Sequence, residues 1–179
     1  MNLQMIFAGF GGQGVLLMGQ LIAYAGMLSG KEVSWMPAYG PEMRGGSANC
    51  SVVVSDEPVG SPKVEDADVV VAMNKPSMAA FEKSVVPGGL LIYNSSLIDD
   101  KPARTDIRSV PIPVSGISAE LGSPKVANMV MLGAVAKLTG AFSAEELVDA
   151  LRHKLGGAKE GMMKMNREAI DRGMAVAEG

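Results

Sequence analysis

The sequence predicts an α/β fold of three layers around a mostly parallel, mixed sheet, and three observations carry that reading. A short apolar run, Gln4-Met5-Ile6-Phe7-Ala8, enters a glycine-dense turn and then a charge-free segment of helix length over residues 15–27. A second unit reads strand, helix, strand over residues 68–73, 76–82 and 90–93. The rest alternates valine-rich runs with helical segments punctuated by Ser-Pro, glycine pairs and a capping box. With 179 residues, the chain suits one α/β domain over residues 1–179 with a proper core.

The first strand runs into Gly9-Phe10-Gly11-Gly12-Gln13-Gly14, where Gly9, Gly11 and Gly14 fit the G-x-G-x-x-G spacing of a Rossmann-like start. Glycine lets the chain turn tightly and lets its backbone approach a ligand or a neighbouring chain. The amides that open the following helix favour an anion. A dinucleotide site also needs an acid at the end of the second strand. That strand, residues 32–36, has its only acid at the start and ends in Met36-Pro37, so the loop also reads simply as a turn packing helix on strand. On the helix, Leu17, Leu21, Tyr24 and Leu28 form one side and Val15, Met18, Ile22 and Ala25 another. One side packs on the sheet; the other needs cover from another element or subunit.

Residues 37–47 read as a loop from their Pro and Gly content. After a parallel strand, this loop lies at the carboxyl edge of the sheet beside the glycine loop. Its charges are Glu42 and Arg44. It is either a surface excursion with a local ion pair, or a loop offering Arg44 to an anion and Tyr39 to a stacked or partner group. Val52-Val53-Val54 is a third strand. The stretch from there to residue 68 is barely long enough for a helical crossover, so an antiparallel or irregular connection is expected.

Residues 68–73 form a continuous apolar run suited to a central strand. Asn74 ends it, Pro76 sits in the first turn of a helix, and Pro87-Gly88-Gly89 breaks the chain before the strand at 90–93. This βαβ unit is expected to be right-handed. Its strands end in Asn74 and in Asn94-Ser95-Ser96, so they meet the glycine loop at an edge that is polar, uncharged and rich in backbone donors. Pro111 and Pro113 restrict residues 110–114 to an edge strand. Ser123-Pro124 opens the next helix, with the serine as cap, and Thr139-Gly140 ends it. Ser143-Ala144-Glu145-Glu146 is a capping box for a helix that reaches Leu155 and breaks at Gly156-Gly157. A last amphipathic helix, residues 159–177, carries Met162, Met163, Met165 and Met174.

Composition excludes several classes. Only 4% of residues are aromatic, so Val, Leu, Ile, Ala and 14 Met must build the core; the Met162–Met163–Met165 cluster also suits a partner surface. The net charge is −3 and no basic run occurs, which argues against nucleic-acid binding. A single cysteine and a single histidine rule out a four-cysteine iron–sulfur site, a multi-Cys/His zinc site and a disulfide within the chain. Cys50, before Ser51-Val52-Val53-Val54, reads as a buried small hydrophobe, and His153 as part of a polar helix end. No charged side chain precedes Lys31. The start nonetheless lacks the basic region and unbroken apolar core of a signal peptide, and residues 15–27 are too few to span a bilayer. A soluble, cytoplasmic chain without membrane contact is expected.

Taken together, four stretches resemble the gamma subunit, or equivalent domain, of 2-oxoacid:ferredoxin oxidoreductases. They are Gly9-Phe10-Gly11-Gly12-Gln13-Gly14-Val15; Tyr39-Gly40-Pro41-Glu42-Met43-Arg44-Gly45-Gly46; Ser55-Asp56-Glu57-Pro58 with Ser61-Pro62; and Pro87-Gly88-Gly89 with Asn94-Ser95. The second resembles the 2-oxoglutarate or branched-chain oxoacid branch more than the pyruvate branch. The resemblance implies a subunit of a heterotetramer that oxidatively decarboxylates a 2-oxoacid with coenzyme A, giving an acyl-CoA, carbon dioxide and reduced ferredoxin. It implies thiamine diphosphate, magnesium and iron–sulfur clusters on partner subunits (alpha, beta and a ferredoxin-like delta), and no catalytic residue or metal ligand here. The chain has neither a Gly-Asp-Gly thiamine motif nor the cysteines for a cluster, so the isolated subunit is expected to be inactive.

The candidate cofactor or interface residues are Gly9, Gly11, Gly12, Gln13, Gly14, Tyr39, Glu42, Met43, Arg44, Gly45, Gly46, Asn74, Asn94 and Ser95. Arg44 suits coenzyme A phosphates or a partner carboxylate. The rival readings are a free-standing Rossmann-like nucleotide-binding protein or small dehydrogenase, and a pure assembly scaffold. A homo-oligomer in the absence of partners is also open.

Overall fold

The computed structural model describes residues 1–39, 46–157 and 160–178. Its middle strand is β1 (Asn2–Phe10), in which Met5, Ile6, Phe7 and Ala8 are all buried. A strand apolar on both faces needs cover on both. Met5 and Phe7 enter one apolar cluster and Ile6 the other, as the period of two along a strand requires.

On one side β1 pairs antiparallel with β3 (Ser47–Ser55), which pairs antiparallel with the edge strand β2 (Glu32–Tyr39). On the other, β4 (Ala67–Ala72), β5 (Val85–Asn94) and β6 (Arg108–Ile112) follow in parallel. The order is β2-β3-β1-β4-β5-β6, with β3 alone reversed, so the expected mixed, mostly parallel sheet is found. The irregular connection expected after the third strand is also found, because residues 56–66 hold neither helix nor strand.

Five helices cover one face. They are α1 (Val15–Leu28), α3 (Val114–Glu120), α4 (Ala127–Thr139), α5 (Ala144–Leu155) and α6 (Glu160–Glu178). The other face has the two-turn α2 (Lys75–Phe81) and loop side chains such as Val64 and Ile98. The charge-free α1 lies on β1, β2 and β3, and α4 and α5 cover part of its outer side, while Met27 and Leu28 at its end stay exposed. Small residues bring it close to the sheet. A Cβ on Gly19 would lie 2.4 Å from Cys50 Sγ, and one on Gly26 would lie 2.8 Å from Val33 Cγ1. The Ser143/Glu146 capping box is present in full at the start of α5.

Four local expectations are corrected. β2 continues through Pro37 to Tyr39, since an edge strand tolerates a residue with no N–H, so the loop that follows is shorter than residues 37–47. β3 starts at Ser47, well before its valines, because pairing with β1 and β2 on both sides overrides the weak strand preference of Ser, Asn and Ser. Pro87-Gly88-Gly89 lies inside β5, where the register with β4 shifts and Gly88 takes φ +79°; the expected break is a bulge. Ser123 makes no capping hydrogen bond, and a 3₁₀ turn at residues 124–126 intervenes before α4. Helix α3 is missing from the sequence reading altogether. Among the described residues no helix is long and apolar enough to cross a membrane.

Two outcomes follow from this packing. Helices α4 and α6 meet at glycines. A Cβ on Gly173 would fall 1.8 Å from Val130 O, and one on Gly133 would fall 2.1 Å from Ile170 O. Backbone cannot rotate out of the way, so Gly173→Ala should cost about 1–3 kcal/mol or more. That is a drop of several degrees in Tm at about 2–4 °C per kcal/mol for a chain of this size. Gly161→Ala on the same helix meets nothing within 4 Å and should leave Tm unchanged or raised, so equal effects at the two sites would contradict the packing. Cys50 is buried, and burial pushes its thiol up to about 12 from 9.0. Its contribution is therefore full below pH 9 and declines as pH rises towards 12, where only the unfolded chain releases the proton readily. Urea unfolding of wild type and Cys50→Ala should show their difference shrinking above pH 9; a pH-independent difference would contradict it.

Candidate functional site

Parallel strands β1, β4 and β5 end together at one rim of the sheet, and the residues that follow each strand form a connected polar cluster. Gln13 is its centre. Its Oε1 accepts hydrogen bonds from the Phe10 amide (2.7 Å) and from Asn74 Nδ2 (2.9 Å), while its Nε2 donates to the Met73 carbonyl at 3.4 Å. The Met73 carbonyl also accepts from Asn94 Nδ2 at 3.4 Å, and the Met73 amide donates to Ala8 O at 2.9 Å. The Gln13 carboxamide thus ties the end of β1 to the end of β4, and Asn94 carries the link on to β5.

The glycines fit this cluster for different reasons. A Cβ on Gly9 would lie 2.7 Å from Gln13 Oε1 and 2.9 Å from Val15 Cγ1, so the amide side chain needs that space. Gly14 takes φ +74° as the cap of α1, where a Cβ would lie 2.3 Å from Asn128 Nδ2. Gly11 donates its amide to Gly46 O at 2.8 Å, which fastens the far end of the β2–β3 connection to the glycine loop. Tyr39 and Gly9 both stand level with Ala48 of β3, so the two ends of that connection lie at the carboxyl rim as expected. Glu42, Met43, Arg44 and Gly45 lie outside the described residues.

Asn74 and Asn94 have structural work at the rim. Asn74 Oδ1 accepts from the Ser77 amide at 2.9 Å and caps α2. Asn94 is fully buried; its Oδ1 accepts from the Ser96 amide at 3.1 Å, and its Nδ2 also donates to Ser115 Oγ at 3.3 Å. Ser95 does not join the cluster, and its amide donates instead to Ile112 O at the end of β6.

Beside the glycine loop is a cavity of about 200 Å³, lined by Gly12, Gly14, Asn94, Ser115, Lys125 and Asn128 among others. The sequence reading missed Lys125 and Asn128. Asn128 sits in the first turn of α4, is 8% exposed, and makes no hydrogen bond among the described residues. Its amide faces the cavity, unlike the hydrogen-bonded side chains of Asn74 and Asn94. The available signal was Ser123-Pro124, a helix opening whose first turn could meet the same rim. Lys125 is exposed, whereas Lys75, the first residue of α2, is paired with Asp100 at 2.6 Å, which holds its ammonium charged above the usual lysine range.

Among the described residues, the strand order does not provide the geometry of a dinucleotide site. Antiparallel β3 stands between β1 and β2, so the end of β2 is two strand spacings, about 10 Å, from the glycine loop. The strand beside β1 presents Ser47 and Ala48 at this rim, where a ribose-binding acid would be needed.

A family model described as pyruvate ferredoxin/flavodoxin oxidoreductase matches residues 4–176. The chain belongs to this family. It is 41% identical over 168 residues to ketoisovalerate oxidoreductase subunit VorA of Methanothermobacter marburgensis, a match that covers 93% of this chain. The chain spans only 34% of that relative's length. It is 35% identical to 2-oxoglutarate synthase subunit KorC of Methanocaldococcus jannaschii, with 99% of this chain and 95% of the relative covered. Two solved structures share the fold. The keto/oxoacid ferredoxin oxidoreductase gamma subunit of Geobacter sulfurreducens superposes with a TM-score of 0.84 at 28% identity, covering 98% of both chains. The 2-oxoglutarate:ferredoxin oxidoreductase of Magnetococcus marinus, with 2-oxoglutarate, coenzyme A and succinyl-CoA bound, superposes with a TM-score of 0.89 at 31% identity. That match takes in 99% of this chain and 31% of the other.

If Gln13 organises the rim, Gln13→Ala should leave the Phe10 amide and Asn74 Nδ2 without their acceptor. The expected cost is about 0.5–1.5 kcal/mol, since these bonds are exposed or part-buried, measured as a lower urea midpoint with an unchanged m-value. A variant as stable as wild type would show that the clasp is dispensable.

Proposed function

We propose that this chain, as one domain over residues 1–179, is the gamma-type subunit of a 2-oxoacid:ferredoxin oxidoreductase of the 2-oxoglutarate type. The observation that carries this reading is one of length. The same unit fills nearly the whole of KorC yet only about a third of VorA and of the Magnetococcus enzyme. A unit that occurs both as a separate chain and as a portion of a longer one is one part of an assembly.

In that assembly the carboxyl rim, with the glycine loop and the segment from Tyr39 to Gly46, walls the cleft in which an oxoacid becomes an acyl-CoA. Arg44 is the residue proposed to meet a coenzyme A phosphate or a partner carboxylate, since its guanidinium suits both. Thiamine diphosphate with magnesium supplies the carbanion chemistry when bound, and iron–sulfur clusters carry electrons to ferredoxin. Both belong on the alpha, beta and delta partners. The donor set here does not fit a cluster, because the single thiol, Cys50, is buried and donates to the Val15 carbonyl at 3.6 Å. What the chain contributes is a rigid polar wall whose donors are fixed before substrate arrives. The compartment proposed is the cytoplasm, where ferredoxin is reduced.

The test is purification of the chain, tagged at its own locus and at natural expression. Partner chains carrying thiamine diphosphate and iron–sulfur clusters should come with it, and only the complex should decarboxylate 2-oxoglutarate with coenzyme A and a ferredoxin or viologen acceptor. A chain that co-purifies with nothing, or that is active alone, would end this reading.

A further inference from the structure

Among the described residues, α1 is the one helix that packs substantially on the edge strand β2. The inward-facing Val33 and Trp35 of that strand are only half-buried. Between them and the second half of α1 runs a slot of about 260 Å³, lined by Gln20, Ala23, Tyr24, Met27, Val33 and Trp35, none of them charged. Beside it, at the end of α1, Met27 and Leu28 are 50% and 46% exposed. One molecule thus carries an apolar recess next to an apolar projection, and a continuous uncovered face of this kind marks a contact site.

We propose that this face pairs with the same face of a second copy of the chain about a two-fold axis, with the exposed end of each α1 set into the other's slot. Charge points to a second copy. A two-fold axis brings each residue of the contact near its own duplicate, so a charged side chain there meets a like charge. The 14 residues of α1 include no charge, and the slot adds none. The first charges beyond α1, Lys31 and Glu32, are opposite in sign, and Lys31 is already paired with Asp56. Size points away from a small ligand, because the slot falls below the roughly 300–1,000 Å³ of such sites. The indole N–H of Trp35 turns inward, where a Cβ on Gly19 would lie 3.1 Å from it, so the ring borders the slot with carbon. At about 1.5 Å per residue α1 is about 21 Å long, and a helix-wide face of that length is smaller than the roughly 800 Å² that each partner gives to a standard interface. The pair is therefore weak and reversible. It leaves the carboxyl rim free, since the slot flanks the second half of α1 and the glycine loop precedes the first.

The assignment goes beyond the oxidoreductase reading, and its test uses the full-length chain alone. Trp35 is the sole tryptophan, so its emission reports directly on the slot. Sedimentation velocity between about 1 and 500 µM should show a reversible monomer–dimer equilibrium with a Kd of about 10–100 µM. Trp35 emission should move to shorter wavelength over the same range, as water leaves the ring. Met27→Glu, at a half-exposed position, sets like charges across the axis and should raise Kd about ten-fold or more. Met162→Glu, equally exposed but on α6, should leave Kd within about two-fold of wild type.

The proposal is overturned if the chain stays monomeric up to about 500 µM. It is also overturned if a dimer forms whose Kd Met27→Glu leaves unchanged, or whose formation does not move Trp35 emission. A chain that is monomeric alone, but whose Met27 is shielded from peroxide oxidation in the purified complex, gives the slot to a different subunit and overturns the second copy as its occupant. None of these results touches the oxidoreductase role, which is decided by co-purification and activity.

Discussion

At the rim, the turn after β1 and the residue that caps α2 meet at a single oxygen. Gln13 Oε1 takes the Phe10 amide and the Asn74 carboxamide at once, and it reaches them because Gly9 leaves room for it. Without that acceptor the turn after β1 and the cap of α2 would each lose a partner. Position 13 is one of the variable places in the G-x-G-x-x-G pattern. The same glycine spacing that elsewhere clears space for a dinucleotide here makes room for the protein's own side chain.

The second constraint is closeness. Helix α1 packs on the sheet below and against α4 and α5 above, and Gly19 and Gly26 let it settle onto Cys50, Val33 and Val54. Gly133 and Gly173 do the same where α4 crosses α6. With few aromatics, the chain reaches a dense interior by bringing backbones together rather than by filling space with large side chains.

Much of this was legible in advance. The apolar run of β1, the βαβ unit through β4 and β5, and the α5 capping box are local signals, and each is present, although β5 begins before the expected break at Pro87. The rim was legible too, since parallel strands must end at one edge and their last residues were polar. Less legible was whatever depended on distant pairing. Ser47 to Ser51 have little strand preference of their own and become β3 because strands flank both sides. Asn128 and Lys125 lie far along the chain from the glycine loop, and Ser123-Pro124 marks a helix opening without saying which part of the fold it meets. Asn74 was expected at the edge for its polarity; its actual work as a helix cap could have been read from the Asn-Lys-Pro-Ser sequence alone.

Each border of the sheet is closed by a proline, Pro37 in β2 and Pro111 in β6. A proline within a strand turns its nitrogen away from the ladder, towards the side where a visiting strand would have to bond. The sheet therefore cannot readily be continued into another molecule by backbone pairing. Whatever this chain assembles with must grip it through side chains on the helical layer or at the rim, so recognition is written in residues that can vary between relatives while the shared backbone stays the same.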